Sequence, residues 1–148
     1  MLKRPELRVF LDTNVIFSGL YSRRGPAGII IDRFIDRGFA IIVSQQVLEE
    51  LVRTIKEKLP AALPVLRKLL GSVSLEIVKD PDYEVVAEWA EIIHPDDAAI
   101  LAAAVAAQPD YLVTGDKHFF EAPAIIEKSG LRIVTPNRFL DCIDERSS

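Results

Sequence analysis

The chain has 148 residues, the length of one domain, with 49% apolar and 27% charged side chains; that composition excludes disordered and fibrous classes and supports a buried core. Its single cysteine, Cys142, excludes an internal disulfide framework and a CxxC zinc site, and suits a reducing, cytoplasmic setting. Eighteen basic against 22 acidic side chains leave a net charge of −4, so any attraction to nucleic acid must come from local basic patches or a bound cation.

The opening segment, MLKRPELRVFLDTN, holds no apolar stretch long enough for a signal peptide. Arg8–Leu11 reads as a first strand. A helix is expected over Ala27–Arg37, closed by Gly38, and Phe39–Val43 is a second strand. Ser44 is placed to cap a helix over Gln45–Lys58, and a further helix over Ala61–Leu70 ends where Gly71 suits the C′ position. Leu75–Val78 is a weaker strand, followed by helical patterns over Glu84–Ile93 and Asp96–Ala107. Tyr111–Thr114 is the next strand; Pro123–Lys128 is helical and ends at Gly130. Arg132–Val134 is the last strand, and Pro136 starts a helix through Cys142. The strands lack clean alternation, as expected when both faces of a parallel sheet are covered. The longest apolar run, Ala98–Ala107, is ten residues, against about 20 for a membrane span. Alternating β and α elements predict one domain over residues 1–148, a three-layer α/β/α sandwich around a mainly parallel sheet of about five strands.

In such sheets ligands bind beyond the carboxyl ends of the strands, and the acids fall there. Asp12 follows the first strand and Asp116 follows YLVTG. Asp96 and Asp97 open a helix, and Glu49 and Glu50 lie early in the helix after the second strand. Singly, each has a plain structural explanation as a cap, a turn residue or a solvated face. Together they pose an electrostatic problem. Two carboxylates about 4 Å apart repel by roughly 4 kcal/mol at an effective dielectric near 20. A divalent cation neutralises such a group, and oxygen ligands favour Mg²⁺ or Mn²⁺ over zinc. The wheel does not choose between Asp96 and Asp97. Glu49 has Arg53 four residues on, an exposed pair that releases Glu50 for the site.

Asp12-Thr13-Asn14, Ser44-x-x-Val-Leu-x-Glu50-Leu51, Pro95-x-Asp97-Ala-x-Ile100-Leu101-x-x-Ala104 and Leu112-Val-Thr114-Gly-Asp116 occur in the order and spacing of a PIN domain. The resemblance runs from about residue 7 to residue 139, and is strongest to small single-domain toxins of toxin–antitoxin pairs. It implies a sheet of order 3-2-1-4-5 and a nuclease whose one or two Mg²⁺ or Mn²⁺ ions are held by Asp12, Glu50, Asp97 and Asp116. It selects Asp97 over Asp96. It also implies an RNA substrate, a cognate antitoxin whose arginine enters the acidic pocket, and a homodimer. Many relatives carry a further acid two residues after the last aspartate, where this chain has His118.

Thr13, Asn14, Ser44 and Thr114 are candidates to orient the carboxylates. Arg23, Arg24, Lys117 and His118 are candidates to contact substrate, and His118 could instead ligate a metal or cap the following helix; a solvated loop or an idle histidine is the plain alternative. Tyr21 and Phe17 suit base stacking, with Phe17 more at home in the core. Lys56, Lys58, Arg67 and Lys68 form a second basic stretch. The expected activity is metal-dependent hydrolysis of RNA. Two other classes compete with it: a receiver-like or phosphoryl-transfer protein using Asp12, which the Asn14 in place of a second acid disfavours, and a non-catalytic binding module on the same scaffold.

Overall fold

The computed structural model describes residues 7–147; most of the N-terminal segment, and with it the expectation about a signal peptide, lies outside the described residues. Five parallel strands form one sheet in the order β3-β2-β1-β4-β5. They are β1 (Arg8–Leu11), β2 (Ala40–Ser44), β3 (Ser74–Val78), β4 (Tyr111–Val113) and β5 (Ile133–Val134). Val9 pairs with Ile41 on one side and Tyr111 on the other. The helices are α1 (Thr13–Tyr21), α2 (Pro26–Arg37), α3 (Gln45–Lys58), α4 (Leu63–Ser72), α5 (Tyr83–Trp89), α6 (Pro95–Ala107), α7 (Pro123–Ser129) and α8 (Pro136–Ser147). The result is the α/β/α sandwich and strand order expected. A receiver domain places its strands in the order 2-1-3-4-5, so the sheet itself sets this chain apart from that alternative.

The central strands are buried along their length because helices cover both faces, which is why their sequences do not alternate. β3 departs from that expectation. It lies at the sheet edge, and its Ser74 and Ile77 are exposed. At the opposite end of the sheet from the acids, the Arg8 guanidinium donates to both carboxylate oxygens of Glu76, at 3.1 and 2.8 Å, and to the carbonyls of Ala107 and Gln108. That fork ties β1, β3 and the end of α6 together. No helix among the described residues is long and apolar enough to cross a membrane.

Sequence reasoning missed α1. β-branched Thr13, Val15 and Ile16, together with Gly19, are weak helix formers, and tertiary packing overrides them: Val15, Ile16, Gly19 and Leu20 are all buried. The Arg23–Arg24 loop therefore follows a helix, not the first strand. Gly38 and Gly130 do close α2 and α7 in the left-handed conformation, at φ 70° and 68°. Gly71 does not close α4, which runs through it to Ser72. α5 stops at Trp89, short of Ile93, and a turn carries the chain to α6. A four-residue 3₁₀ turn, Lys117–Phe120, follows the last strand-end acid.

Gly19 lets α1 meet α2, and Gly28 lets α2 lie against the loop that joins them. A Cβ on Gly19 would run into Ile31 and the Ala27 backbone, and one on Gly28 would meet the Arg23 backbone at 2.5 Å. Backbone cannot yield as a side chain end can. Gly28→Ala is expected to destabilise the fold by about 1–3 kcal/mol, a drop of roughly 2–4 °C in melting temperature per kcal/mol for this size. Thermal melts check it; an unchanged or raised melting temperature would show that the contact of α2 with the Arg23 backbone has slack.

Candidate active site

At the carboxyl end of the sheet a cleft of about 370 Å³ is lined by Asp12, Glu50, Asp97 and Asp116, together with Thr13, Asn14, Phe17, Thr54, Lys58, Asp96 and Ile100. Four separate elements deliver the acids. Asp12 ends β1 and caps α1, and Asp116 caps the 3₁₀ turn after β4. Asp97 lies in the first turn of α6, and Glu50 in the second turn of α3.

Asp12 is only 4% exposed. One of its oxygens accepts from the Thr13 amide at 2.7 Å; the other accepts from the Thr114 hydroxyl at 2.7 Å and from the Asn14 amide at 3.5 Å. Thr114 Oγ1 in turn accepts from the Asp116 amide at 3.0 Å, and Asn14 Oδ1 accepts from the Gly115 amide at 3.5 Å. Thr114 and Asn14 thus hold the ends of β1 and β4 in one register. Ser44 acts at a distance: its hydroxyl accepts from the Val47 amide at 3.1 Å and fixes the start of the helix that carries Glu50.

Neighbouring acids part company. Asp97 is buried and Asp96 exposed; Glu50 is half-buried in the cleft and Glu49 exposed outside it. The partner of Glu49 is Gln45 at 3.1 Å, not Arg53. Arg23 is also engaged elsewhere, in an ion pair with Asp32 of α2, and none of Arg23, Arg24, Lys117 and His118 lines the cleft, His118 lying behind it against Asp97 and Asp116. The cleft's basic wall residue is Lys58. The spacing from Glu50 through Thr54 to Lys58, four residues each, puts all three on one face of α3, a signal present in the sequence but not followed there. Phe17 is half-buried, packed against the core on one side and lining the cleft on the other, and its ring stacks on Tyr21 at 6.3 Å.

His118 is not idle. Its Nδ1 lies 2.8 Å from an Asp97 oxygen and 3.2 Å from an Asp116 oxygen, and its ring stacks on His94 at 4.6 Å. The hydrogen bond to Asp97 raises the imidazole pKa. Burial raises that of Asp97, which also lies close enough to Asp116 to share a proton. Asp12 is pushed up to about 6, first by burial and only secondarily by the charges of Asp97 and Asp116. Desolvation therefore leads, where mutual repulsion alone was expected.

The residues fit a divalent cation. Oxygen donors converge in one cleft, and no lysine or arginine among the described residues forms an ion pair with Asp12, Asp97 or Asp116. Buried Thr13 Oγ1, in the cleft wall, has no hydrogen-bond partner.

A folded pKa of about 6 for Asp12, above its ordinary 3.8, means the native state holds this proton more tightly than the unfolded chain. That contribution is fully present below about pH 4 and is lost as pH rises through 6. Without metal, Asp12→Asn should melt higher than the parent near pH 7.5 and lose most of that advantage by pH 4.5. Chelated melts across this range measure it; a difference independent of pH would contradict the assignment.

The folded chain is similar to several solved structures. It matches PAE2754 from Pyrobaculum aerophilum at 17% identity, with a TM-score of 0.63 over 94% of this chain and 90% of that one. VapBC2 from Rickettsia felis, solved bound to a DNA fragment from its promoter, matches at 21% identity and a TM-score of 0.64, over 87% and 98% of the two chains. A toxin–antitoxin complex from Klebsiella pneumoniae matches at 22% identity and a TM-score of 0.58, over 86% and 97%. No curated protein matches the chain. The sequence pattern of the PIN domain spans residues 8–118, from the first strand to the histidine beyond the last strand-end acid, and by that match the chain belongs to the PIN domain family.

Proposed function

We propose that the chain is a metal-dependent endoribonuclease, the toxin of a toxin–antitoxin pair. The observation that carries this reading is that Asp12, Glu50, Asp97 and Asp116, from four elements, line one cleft at the carboxyl end of the sheet. Asp12, Asp97 and Asp116 would hold a Mg²⁺ or Mn²⁺ ion, and Glu50 with Asp97 a second. Such an ion would lower the pKa of a bound water and supply positive charge for the scissile phosphate.

The chain's own groups do the positioning. Thr114 and Thr13 fix both oxygens of Asp12 by hydrogen bonds at 2.7 Å, so its carboxylate needs little reorganisation to serve as a ligand. The raised pKa of Asp12 is the cost of keeping a carboxylate buried for a cation. On a chain of net charge −4, RNA must be drawn by local charge, and Lys58 on the α3 wall is placed to meet a phosphate. Phe17 and Tyr21, stacked on α1, offer a face for a base on the opposite side. The acidic cleft also suits an arginine from a small basic antitoxin, and the active form is expected to be a homodimer acting in the cytoplasm. The solved toxin–antitoxin complexes of the same fold support the partner.

Short RNA oligomers with Mn²⁺ test the reading. Asp12→Asn and Glu50→Gln should each lower the cleavage rate by at least about 100-fold, the upper range for disturbing groups that merely support a metal's ligands. Glu49→Gln should leave it within about twofold, as for an exposed side chain away from the site. Equal rates for parent and Asp12→Asn would contradict the metal-nuclease reading. A large loss for Glu49→Gln with Glu50→Gln silent would move the site one residue along α3, and cleavage of DNA oligomers alone would overturn the substrate.

A further inference from the structure

We infer that His118 is itself a metal ligand, so that the ion bound beside Asp97 and Asp116 sits in a mixed imidazole–carboxylate site that shifts preference from Mg²⁺ towards later divalent ions such as Co²⁺. The inference rests on the reading that the cleft binds a divalent ion, and adds which ion and which donor.

The distances carry it. His118 Nδ1 lies 2.8 Å from Asp97 Oδ2 and 3.2 Å from Asp116 Oδ1. Ligand bonds of about 2.1 Å, at right angles or at the tetrahedral angle, separate adjacent donor atoms by roughly 3.0–3.4 Å. The imidazole nitrogen already stands about as far from each of the two carboxylate oxygens as neighbours in one coordination shell. Thr13 Oγ1, buried and without a partner, lies in the wall of the same cleft.

His118 is held in place from two sides. Its amide donates to Asp116 Oδ1 at 2.9 Å, which fixes the start of the 3₁₀ turn. Its ring lies 4.6 Å from that of His94, with only 5° between the planes. His94 caps α6, its Nδ1 accepting from the Asp96 amide at 3.2 Å. His94, Asp97 and His118 each bring a donor atom within 4.8 Å of the others. Two parallel rings cannot aim in-plane lone pairs at one ion, however, so the geometry makes His118 the ligand and His94 the plate that fixes its plane. A nitrogen donor moves affinity along the order Mg²⁺ to Mn²⁺ to Co²⁺, because imidazole suits the later ions and all-oxygen sites suit Mg²⁺.

The test uses the full chain and the metal alone. Pulsed electron paramagnetic resonance of the Mn²⁺-loaded protein should show ¹⁴N coupling from a bonded imidazole, and His118→Asp, which replaces nitrogen by oxygen, should abolish it. Titration calorimetry should give a Co²⁺ to Mg²⁺ affinity ratio that falls by about tenfold or more in His118→Asp, the scale on which single groups tune metal sites. His94→Ala should weaken the nitrogen signal without reducing Mg²⁺ affinity. Mn²⁺ bound without nitrogen coupling, or an unchanged affinity ratio in His118→Asp, would overturn the inference and leave the nuclease reading standing. Failure of the parent to bind any of the three ions would overturn both.

Discussion

Carboxylates resist being gathered out of water, and this fold gathers them where water is scarcest. Asp12 is almost fully buried at the end of the central strand, with Asp97 and Asp116 beside it. Hydrogen bonds from Thr13 and Thr114 offset part of the desolvation, but they add no positive charge. Removing a charge from water without a partner costs several kcal/mol, so the metal-free protein carries a local instability that a cation would relieve. The rest of the architecture serves that convergence. The parallel order puts the ends of β1 and β4 side by side, capping by Ser44 and His94 sets the starts of α3 and α6, and Gly19 lets the first helix lie close to the second.

Much of this was legible in the sequence. Strand and helix order follow from short β-branched runs separated by helical patterns, and Ser44, Gly38 and Gly130 mark boundaries because capping chemistry is local. The four acids are legible because strand ends in a parallel sheet are where ligands go. The resemblance added the choice of Asp97 over Asp96, and the structure buries the former and exposes the latter.

What stayed hidden depended on contacts between distant residues. α1 is a helix only because α2 packs on it; its own composition argues weakly for one. Arg23, a candidate to contact substrate, forms an exposed ion pair with Asp32 that its place in the sequence does not reveal. Gly71 reads as a stop signal, yet α4 continues through it. For His118 the sequence leaves several roles open, and only the turn after β4 shows that it meets Asp97, 21 positions earlier in the chain. Lys58 is the opposite case, since its helical phase with Glu50 was available from numbering alone.

A cation held in this cleft would join these relations, and thermal stability would read it without any substrate. An ion that binds only the folded cleft, at 100 times its dissociation constant, adds about 2.7 kcal/mol, or roughly 5–11 °C for a domain near 150 residues. Melts of the parent at pH 7.5, in chelator and in saturating Mn²⁺, should differ by that amount, while Asp12→Asn and Asp116→Asn shift little. A parent that melts at the same temperature in both, or variants that gain as much from Mn²⁺ as the parent does, would contradict the assignment of this cleft as a metal site.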